Sequence, residues 1–518
     1  MYLGTSADKN PDKPALIFAD RELAVTYREL DERSSRLAHA FRAWGLKPGD
    51  GIAVVLTNEE HFFDFYWAAM RSGLYFTPVN WHLSTEELEY VIEDCDARVL
   101  VANVRFADQL VPALTRLTKI EQRISVGGHM DGFTQYEHAV QGFPTARLED
   151  EREGAAMLYS SGTTGRPKGV RPPLTLDPAG TGAVTMGIFA FQMFFGLEEN
   201  DRYLSPGPLY HAAPLQFTAL QHRIGATAVV MEKFDPEKAL AYIERHHVTT
   251  SQWVPTHFVR LLKLPDDVKR RYDVSSLKIA IHAAAPCPVP IKKAMIDWWG
   301  PKIVEYYAGT EGGGTLIKSD EWLTHQGSVG KHWAGGKVWV LDENGQEVPQ
   351  GTDGGVYFEA PEDPKARFRY HKDDAKTAST YVGRLFTLGD VGHLDPDGYL
   401  YLTDRKSHMI ISGGVNIYPQ EVENCLAAHP RIDDVAVIGV PNEDMGEEVK
   451  AVVQLAPGVE PSPELERELI AYVREHIAHY KAPRSVDFVA ELPRLENGKI
   501  YKRVLRDRYW AGRGSRLV

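Results

Sequence analysis

The sequence predicts an α/β fold, in which a large N-terminal region with two α/β subdomains and a β-rich subdomain precedes a small α+β C-terminal domain. Two patterns indicate this class. Apolar runs rich in Val and Ile alternate with helix-length segments up to about residue 300, which is typical of parallel sheets with crossover helices. From about residue 330 the runs are separated by turn residues, which favours antiparallel hairpins.

Single elements of the N-terminal region follow the first pattern. Buried strands are predicted at Gly51–Leu56 and Arg98–Ala102, because both runs are short, apolar and rich in Val. Helices are predicted at Thr26–Trp44, Glu86–Glu93 and Pro236–His247. A chain of 518 residues exceeds what one hydrophobic core organises, so we expect these elements in more than one subdomain.

The composition indicates which cellular compartment and which partners to expect. The apolar stretch Gly187–Leu197 predicts a buried helix that is too short to span a bilayer, and Met1–Pro11 lacks the pattern of a signal peptide. We therefore expect no integral membrane segment. Cys95, Cys287 and Cys425 lie far apart, which fits a reducing cytoplasm. The net charge of −13 argues against nucleic acid as a partner.

The β-rich subdomain is expected at about 330–403. Gly336–Leu341 and Gly354–Glu359 have the composition of hairpin strands, and Asn344 with Gly345 forms a turn signal between them. The N-terminal region as a whole is therefore expected to cover residues 1–403.

The C-terminal domain is expected at 407–518, after a tight hinge at 404–406 that has no Pro or Gly linker. Ser462 and Pro463 mark the start of a helix, as N-cap and first helical residue. The strands expected in this domain are Val435–Val440, Val449–Leu455 and Val486–Val489.

The run Tyr159–Val170 carries the strongest chemical signal. A Gly-rich turn exposes backbone N–H groups to phosphate oxygens, hydroxyl groups add donors, and Lys168 supplies positive charge. It is not the common P-loop, because no Gly-Lys-Ser/Thr follows the first Gly at that spacing.

This run and the motifs after it resemble the adenylate-forming superfamily of acyl-CoA synthetases, peptide-synthetase adenylation domains and firefly-type luciferases. The resemblance covers nearly the whole chain and is closest to fatty-acid-type acyl-CoA synthetases. Its motifs follow in the family's order at Ser161–Gly169, Pro208–His211, Tyr306–Glu311, Thr387–Asp390, Asp404–Arg405, Gly413–Glu421 and Pro493–Lys499. Two departures are Ala308, where Gly is usual, and His408, where an acidic residue is usual.

The resemblance implies nucleotide-binding and catalytic roles. Tyr307 would stack on adenine, Thr310 would contact the α-phosphate, and Glu311 would hold Mg²⁺. Lys499, Thr310 and Glu311 would be catalytic. The residues implied in ATP and AMP binding are Ser160, Ser161, Gly162, Thr163, Thr164, Gly165, Lys168, Tyr307, Ala308, Thr310, Asp390 and Arg405.

The resemblance also implies sites for the acyl group and for the thiol. By analogy, the acyl pocket holds His211, Trp253, His257, Ala283, Ala284, Ala285, Ala308 and Gly309. The thiol tunnel holds Gly413, Gly414, Tyr480 and Lys481. Asp404 would be the hinge about which a mobile C-terminal domain turns between the two half-reactions.

The expected function is an acid–CoA ligase that uses ATP, Mg²⁺ and CoA to activate a bulky or medium- to long-chain carboxylic acid. Alternatives that stay open are an enzyme for acyl transfer from acyl-AMP alone, one that loads a carrier-protein arm, a non-catalytic nucleotide binder, and a remote luciferase-type oxidation. Small residues on one pocket wall and aromatic or imidazole groups on the other indicate a bulky acid. A homodimer is an open alternative to a monomer.

Overall fold

The structure is a computed structural model that describes residues 1–160, 167–405, 408–412, 415–442, 445–494 and 500–511, without the side chains of Ser160, Asp404, Arg405 and Asn416. The chain forms two compact units. Unit 1 comprises Met1–Ala283, Lys293–Gly313 and Ala360–Ser379. Unit 2 comprises Ala284–Lys292, Gly314–Glu359 and Thr380–Val518.

The described ranges hold seventeen α-helices. In chain order they are α1 (Leu3–Lys9), α2 (Tyr27–Ala43), α3 (Phe62–Arg71), α4 (Thr85–Asp94), α5 (Ala107–Leu110), α6 (Tyr136–Ala139), α7 (Gly182–Phe195), α8 (Ala212–Ile224), α9 (Pro236–Arg245), α10 (Pro255–Leu262), α11 (Asp266–Arg271), α12 (Val289–Trp299), α13 (Ser319–Thr324), α14 (Asp374–Thr380), α15 (Pro419–Ala427), α16 (Pro463–His476) and α17 (Lys502–Trp510).

The same ranges hold twenty-eight strands. In chain order they are β1 (Pro14–Phe18), β2 (Leu23–Thr26), β3 (Gly51–Val55), β4 (Tyr75–Pro78), β5 (Ala97–Asn103), β6 (Gln122–Val126), β7 (Thr134–Gln135), β8 (Ala155–Ala156), β9 (Leu158–Ser160), β10 (Lys168–Arg171), β11 (Arg202–Ser205), β12 (Thr227–Val230), β13 (Thr250–Trp253), β14 (Ile279–His282), β15 (Ile303–Gly309), β16 (Gly312–Lys318), β17 (Lys331–His332), β18 (Trp339–Leu341), β19 (Gly354–Glu359), β20 (Arg369–Tyr370), β21 (Tyr381–Val382), β22 (Leu385–Leu394), β23 (Leu400–Arg405), β24 (Ile410–Ser412), β25 (Val415–Ile417), β26 (Ile432–Asn442), β27 (Gly446–Leu455) and β28 (Ser485–Val489).

Unit 1 contains two predominantly parallel sheets and a small antiparallel one. The first runs β7-β6-β5-β3-β4-β8, and neighbouring strands in it pair in parallel. In the second, unit 1 supplies the order β15-β14-β13-β11-β12-β1-β2, parallel except for the β1–β2 hairpin. The third runs β20-β10-β9. Parallel strands end at a common edge, so both large sheets place the residues that follow their strands together.

Local sequence explains why these elements form. Strand β3 is buried along its whole length, as expected for a strand covered on both faces. Helix α2 begins at a capping box, in which the Thr26 side chain accepts from the Glu29 N–H and the Glu29 carboxylate accepts from the Thr26 N–H. Its buried face includes Leu30, Leu37 and Phe41. Helix formation and burial against the sheet therefore reinforce each other.

Unit 2 contains antiparallel hairpins and the C-terminal α+β fold. Strands β18, β19, β22 and β21 form one sheet, with β23 paired to β22. Strands β25, β24, β27 and β26 form another, with β28 parallel to β27. Helix α16 packs Leu465, Leu469 and Val473 into the core of this sheet.

Most of the element predictions are confirmed. The mixed α/β class, the strands at β3 and β5, the helices α2, α4 and α9, the β18–β19 hairpin and the three C-terminal strands are present. Ser462 caps α16, with its Oγ accepting from the Leu465 N–H at 3.1 Å. The domain boundaries at 403 and 407 stay a prediction.

One prediction is wrong: the apolar stretch at Gly187–Leu197 is not a buried helix. Helix α7 is exposed along one face, where Met186 and Met193 expose 67% and 65% of their surface and Phe189 exposes 49%. Apolar composition indicates that a helix avoids water but not that the fold covers both of its faces. Among the described residues, no helix has the length and apolarity needed to cross a membrane.

Candidate active site

The hairpin β9–β10 presents the Gly-rich segment. Lys168 lies opposite Ser160, and Val170 opposite Leu158, so the two strands close the base of the turn between them. The turn itself, with Ser161, Gly162, Thr163, Thr164 and Gly165, lies outside the described residues. Ser160 and Lys168, on either side of this segment, are thus paired strand neighbours.

Close packing fixes the hairpin on unit 1. A Cβ at Gly169 would lie 2.6 Å from Met157 Cε and 3.0 Å from Tyr159 Cζ. A larger residue would therefore displace the ends of the Met157 and Tyr159 side chains. The Tyr159 hydroxyl donates to Asp94 Oδ2 at 2.6 Å, which holds β9 onto the end of α4.

A cavity of about 340 Å³ lies beside the hairpin and is lined partly by Lys168, Gly169, His371 and Lys372. Lys372 forms an ion pair of 2.9 Å with Asp96. Burial, reinforced by the charges of Lys372 and Arg171, lowers the pKa of His371. A neutral ring that donates from Nε2 to the Asp94 carbonyl, 2.9 Å away, can accept at Nδ1 from Arg171 at 3.3 Å. The lining also includes Asp94 and Asp373, so the cavity carries charges of both signs, with Lys168 as the basic residue on the hairpin.

The carboxyl end of β15 holds the Tyr-Tyr-Ala-Gly-Thr-Glu motif. Tyr307, Ala308 and Gly309 are half-buried at the end of the strand, and Thr310 and Glu311 form the turn that follows. The backbone then takes φ values of 111°, 70° and 154° at Gly312, Gly313 and Gly314. Backbone conformations of this kind favour glycine, which explains the three consecutive glycines after Glu311.

Tyr370 connects this turn to the hairpin. It lies opposite Val170 in the β10–β20 pair, and its hydroxyl donates to Glu311 Oε1 at 2.7 Å. Lys168 and Glu311 are thereby tied to neighbouring strands, although their motifs are far apart in sequence. A basic group on one strand and a carboxylate tied to the neighbouring strand suit a nucleotide triphosphate with a divalent cation.

The expected acyl-pocket residues of unit 1 follow the carboxyl ends of neighbouring parallel strands. His211 lies in the loop after β11 and is the N-cap residue of α8, Trp253 ends β13, and Ala283 follows β14. Strand β15 adds Ala308 and Gly309. The sheet order β15-β14-β13-β11 therefore brings these residues to a single edge, the usual ligand position in such sheets.

Trp253 and His257 face the interior of unit 1. Trp253 is fully buried, donates from Nε1 to Ser251 Oγ at 2.6 Å, and packs edge-on against Trp299. The His257 ring stacks on Phe234 with centroids 4.0 Å apart. Burial, assisted by Arg260, lowers the pKa of His257 to about 3, so its imidazole is neutral.

Unit 2 holds the remaining residues of the nucleotide motif. Asp390 on β22 is 6% exposed and lies directly opposite Arg405 of β23, with Asp404 opposite Val391. Strand pairing thus places the two positions expected to contact the ribose opposite each other in the sheet. Ala284 and Ala285 also belong to unit 2, and Ala284 has a φ of 77°.

One predicted tunnel residue of the C-terminal domain, Tyr480, lines a small cavity. Tyr480 lines a cavity of about 120 Å³ with Ser412 and Val415, which flank the pair Gly413 and Gly414 on either side in the sequence. Lys481 holds the turn of Tyr480 against α15 through a 2.7 Å ion pair with Glu421. Gly413 and Gly414 lie outside the described residues.

Lys499 also lies outside the described residues, but the ends of its loop are defined. Arg494 and Ile500 form an antiparallel bridge, and the Tyr501 N–H donates to the Pro493 carbonyl at 2.7 Å. Arg494 is also paired with Asp434. The segment that ends in Lys499 is therefore closed at its base.

Sequence reasoning missed Tyr370. The residue stands in Arg367–Tyr370 without a distinctive motif, and its partner Glu311 is 59 positions away. No local pattern links the two, so only the β10–β20 pairing reveals the contact.

Comparison with known proteins agrees with this geometry. Residues 3–362 match the family model described as AMP-binding enzyme, and residues 421–499 match AMP-binding enzyme C-terminal domain. A feruloyl-CoA synthase of an Amycolatopsis species is 33% identical over 490 residues, which cover 94% of each chain. The fatty acid–acyl-carrier-protein ligase ScoC of Streptomyces coeruleorubidus is 29% identical over 535 residues, covering 99% of this chain and 96% of that one.

Among solved structures, the anthranilate CoA ligase AuaEII in complex with anthranoyl-AMP has a TM-score of 0.84 at 26% identity, covering 98% of this chain and 96% of that one. The chain belongs to the AMP-binding enzyme family of adenylate-forming proteins. It is an acid–CoA ligase of the AMP-forming acyl-CoA synthetase class, which uses ATP, Mg²⁺ and CoA.

Proposed function

We propose that this ligase activates a bulky, largely apolar carboxylic acid, aromatic or of medium to long chain, and transfers the acyl group to CoA. Aromatic side chains near the carboxyl edge support a bulky acid. Phe217 of α8 and Phe195 of α7 lie 6.0 and 6.3 Å from the Tyr306 ring, between centroids. Relatives that act on feruloyl, fatty and anthranilate groups are similar to this chain over nearly its whole length.

The observation that carries the proposal is the hydrogen bond from Tyr370 to Glu311 at 2.7 Å. It holds a carboxylate beside the β9–β10 hairpin, where Lys168 and the Gly-rich turn supply groups for phosphate. Tyr370 engages Oε1 of Glu311, and Glu311 would hold Mg²⁺, which binds proteins through one or two carboxylates and keeps several waters. When bound, the cation would offset negative charge on the phosphates.

In the first half-reaction a carboxylate oxygen attacks the α-phosphorus of ATP. The new O–P bond forms as the bond to the pyrophosphate oxygen breaks, and the electron pair leaves with pyrophosphate. A carboxylate is already a nucleophile, so rate depends on positioning and on charge neutralisation. We assign the charge roles to Lys168, Lys499, Thr310 and Glu311.

We assign the nucleotide contacts by motif. Tyr307 stacks on adenine beside Ala308, Asp390 binds the ribose hydroxyls with Arg405 opposite it in the β22–β23 pair, and the turn residues contact the phosphates. The turn residues are Ser160, Ser161, Gly162, Thr163, Thr164 and Gly165. The acyl group occupies the carboxyl edge, with His211, Trp253, His257, Ala283, Ala284, Ala285, Ala308 and Gly309.

In the second half-reaction the CoA thiolate attacks the acyl carbonyl of acyl-AMP. The thioester C–S bond forms, the C–O bond to AMP breaks, and AMP leaves as a phosphate monoester. We assign the thiol path to Gly413, Gly414, Tyr480 and Lys481. We place the hinge at Asp404, within residues 404–406, between domains 1–403 and 407–518.

The decisive experiment follows AMP release and acyl-CoA formation with ATP, Mg²⁺ and a panel of aromatic, alicyclic and fatty acids. We expect one bulky class to give AMP and acyl-CoA together. Turnover of synthetic acyl-adenylate with CoA, but no AMP release from free acids, would show that only the second half-reaction is retained. Acyl transfer to a carrier protein but not to CoA would show that the acceptor is a carrier protein. If no assay detects activity, the protein would be a non-catalytic nucleotide binder.

We propose in addition that two copies of the chain associate through the exposed face of α7. Met186, Phe189 and Met193 lie at i, i+3 and i+7 on one stripe. The helix contains no charged residue, so two chains of net charge −13 can meet there without apposed like charges. At its C-terminal end, the acidic groups are already paired, Glu199 with Lys9 and Glu198 with Lys278.

Light scattering on the eluting protein measures the mass directly. We expect a dimer for the native chain and a monomer for Phe189→Glu. Val382→Glu alters an apolar side chain of similar exposure, 43%, on strand β21, and this variant should stay dimeric. A native monomer, or a dimer that survives Phe189→Glu, would exclude this interface.

We propose a cytoplasmic location, where ATP and CoA are available. Its support is the sparse, odd set of three widely separated cysteines, Cys95, Cys287 and Cys425. Fractionation of cells, with the protein followed by immunoblot, tests the location.

A further inference from the structure

We propose that Asn58 is a positioning residue for acyl-substrate binding, because its side chain fixes the loop that carries His211. This inference rests on the proposed role of His211 at the acyl group. Asn58 follows strand β3 of the six-stranded sheet, whereas the loop Gly207–His211 follows β11 of the other large sheet. The side chain is therefore a direct link between the two sheets.

Within the described residues, the carboxamide of Asn58 forms its hydrogen bonds with main-chain atoms. Nδ2 donates to the Gly207 carbonyl at 3.0 Å and to the Met231 carbonyl at 2.8 Å, and Oδ1 accepts from the Leu209 N–H at 2.8 Å. Asn58 is 5% exposed, so water does not substitute readily for these bonds. Both ends of the carboxamide are needed, since the two donors and the acceptor are all engaged.

The residues around Asn58 make it a rigid support. The Glu59 carboxylate accepts from the Thr57 N–H and hydroxyl, both at 3.1 Å, and from Asn103 Nδ2 at 2.8 Å. Glu59 is also 5% exposed. The turn after β3 is thus fixed to β5, and Asn58 cannot shift without breaking these bonds.

The loop that Asn58 holds has little freedom elsewhere. A Cβ at Gly207 would lie 2.8 Å from Pro214 Cγ, so the loop runs close against the start of α8. The His211 N–H donates to the Pro208 carbonyl at 3.1 Å, and the His211 carbonyl accepts from the Leu215 N–H at 3.1 Å. A change at Leu209 therefore moves His211 and the first turn of α8 together.

The test is a double-mutant cycle of Asn58→Ala and His211→Ala, assayed for AMP release with varied acid and varied ATP. For Asn58→Ala we expect the KM for the acid to rise roughly tenfold, since small displacements in a reacting geometry are costly, with little change in the KM for ATP. In the His211→Ala background the same substitution should have a much smaller effect on the KM for the acid. Asn58→Asp, which keeps the shape but loses both donors, should follow Asn58→Ala.

Val101→Ala is the stability control, because Val101 is a fully buried residue of β5 that does not contact the loop through a hydrogen bond. It should lower thermal stability without raising the KM for the acid selectively. Equal increases in both KM values, or an Asn58 effect that is unchanged in the His211→Ala background, would overturn the positioning role. A His211→Ala enzyme with an unaltered KM for the acid would instead remove the proposed role of His211, which separates the two failures.

Discussion

Tyr370 and Glu311 are joined by a hydrogen bond of 2.7 Å, with the tyrosine hydroxyl as donor. Tyr370 belongs to a short strand that pairs with β10, the strand that leads out of the Gly-rich turn. Glu311 belongs to the turn at the end of β15. This one contact links the proposed magnesium ligand to a strand that pairs with β10. We therefore expect Tyr370 to support the first half-reaction.

Tyr370→Phe should therefore slow adenylate formation by about tenfold or more, because a lost hydrogen bond to a charged group costs roughly 1.5–3 kcal/mol. We expect a higher requirement for Mg²⁺ in the same assay. Transfer from synthetic acyl-adenylate to CoA should change little. Pyrophosphate exchange measures the first half-reaction and acyl-CoA formation the second.

Tyr399→Phe provides the matched control for this prediction. The Tyr399 hydroxyl donates to Glu321 at 3.2 Å, so the same atom is deleted from another Tyr–Glu pair, outside the motifs. An equal loss of exchange in both variants would argue that Tyr370 acts only through general stability.

Lys499→Ala should abolish adenylate formation and spare thioester formation. The lysine closes the motif whose loop base is formed by Arg494 and Ile500, and its charge is proposed to stabilise the phosphates of ATP. We expect a loss of about 100-fold or more in pyrophosphate exchange, the usual effect of removing one such electrostatic group. Lys502→Ala is the control, since Lys502 pairs with Glu423 at 2.7 Å. Equal loss of both half-reactions would contradict the assignment.

Gly169→Ala should destabilise the hairpin, because the new Cβ would lie 2.6 Å from Met157 Cε. Overpacking of this kind typically costs about 1–3 kcal/mol. Gly187→Ala is the matched control: an added Cβ meets no atom within 4 Å in the middle of α7, and helix propensity should stabilise it by up to about 1 kcal/mol. In thermal unfolding, the melting temperature should fall for Gly169→Ala and rise for Gly187→Ala. A neutral Gly169→Ala would show that the strands can move apart without cost.

Local signals explain which features could be predicted from the sequence. Ser462 and Pro463 mark the start of α16 within a few residues, and the apolar run of β3 is buried on both faces, so both elements were predictable. The exposure of α7 was not, because whether a second layer covers it depends on the whole fold. Tyr370 and Asn58 act through partners far along the chain, and no spacing rule links such positions. The motifs indicated the chemistry, whereas the residues that orient it required the structure.

Acid sensitivity should depend on His222, a fully buried residue of α8 whose Nδ1 accepts from Trp67 Nε1 at 3.0 Å. Burial outweighs a hydrogen bond with the Ala15 backbone and lowers its pKa to about 3. In the unfolded chain the histidine pKa is about 6.5. Between about pH 3 and about pH 6.5, His222 therefore binds a proton in the unfolded chain but not in the folded protein. Its contribution to stability is therefore complete above about pH 6.5 and is lost as pH falls toward 3, at about 1.4 kcal/mol per pH unit for one proton.

His222→Gln should be less stable at pH 7 but should lose stability less steeply on acidification, measured as the urea midpoint from pH 7 to pH 4. His129→Gln, at a side chain 71% exposed, should follow the native slope, and a His222→Gln slope equal to it would show that His222 becomes protonated without unfolding.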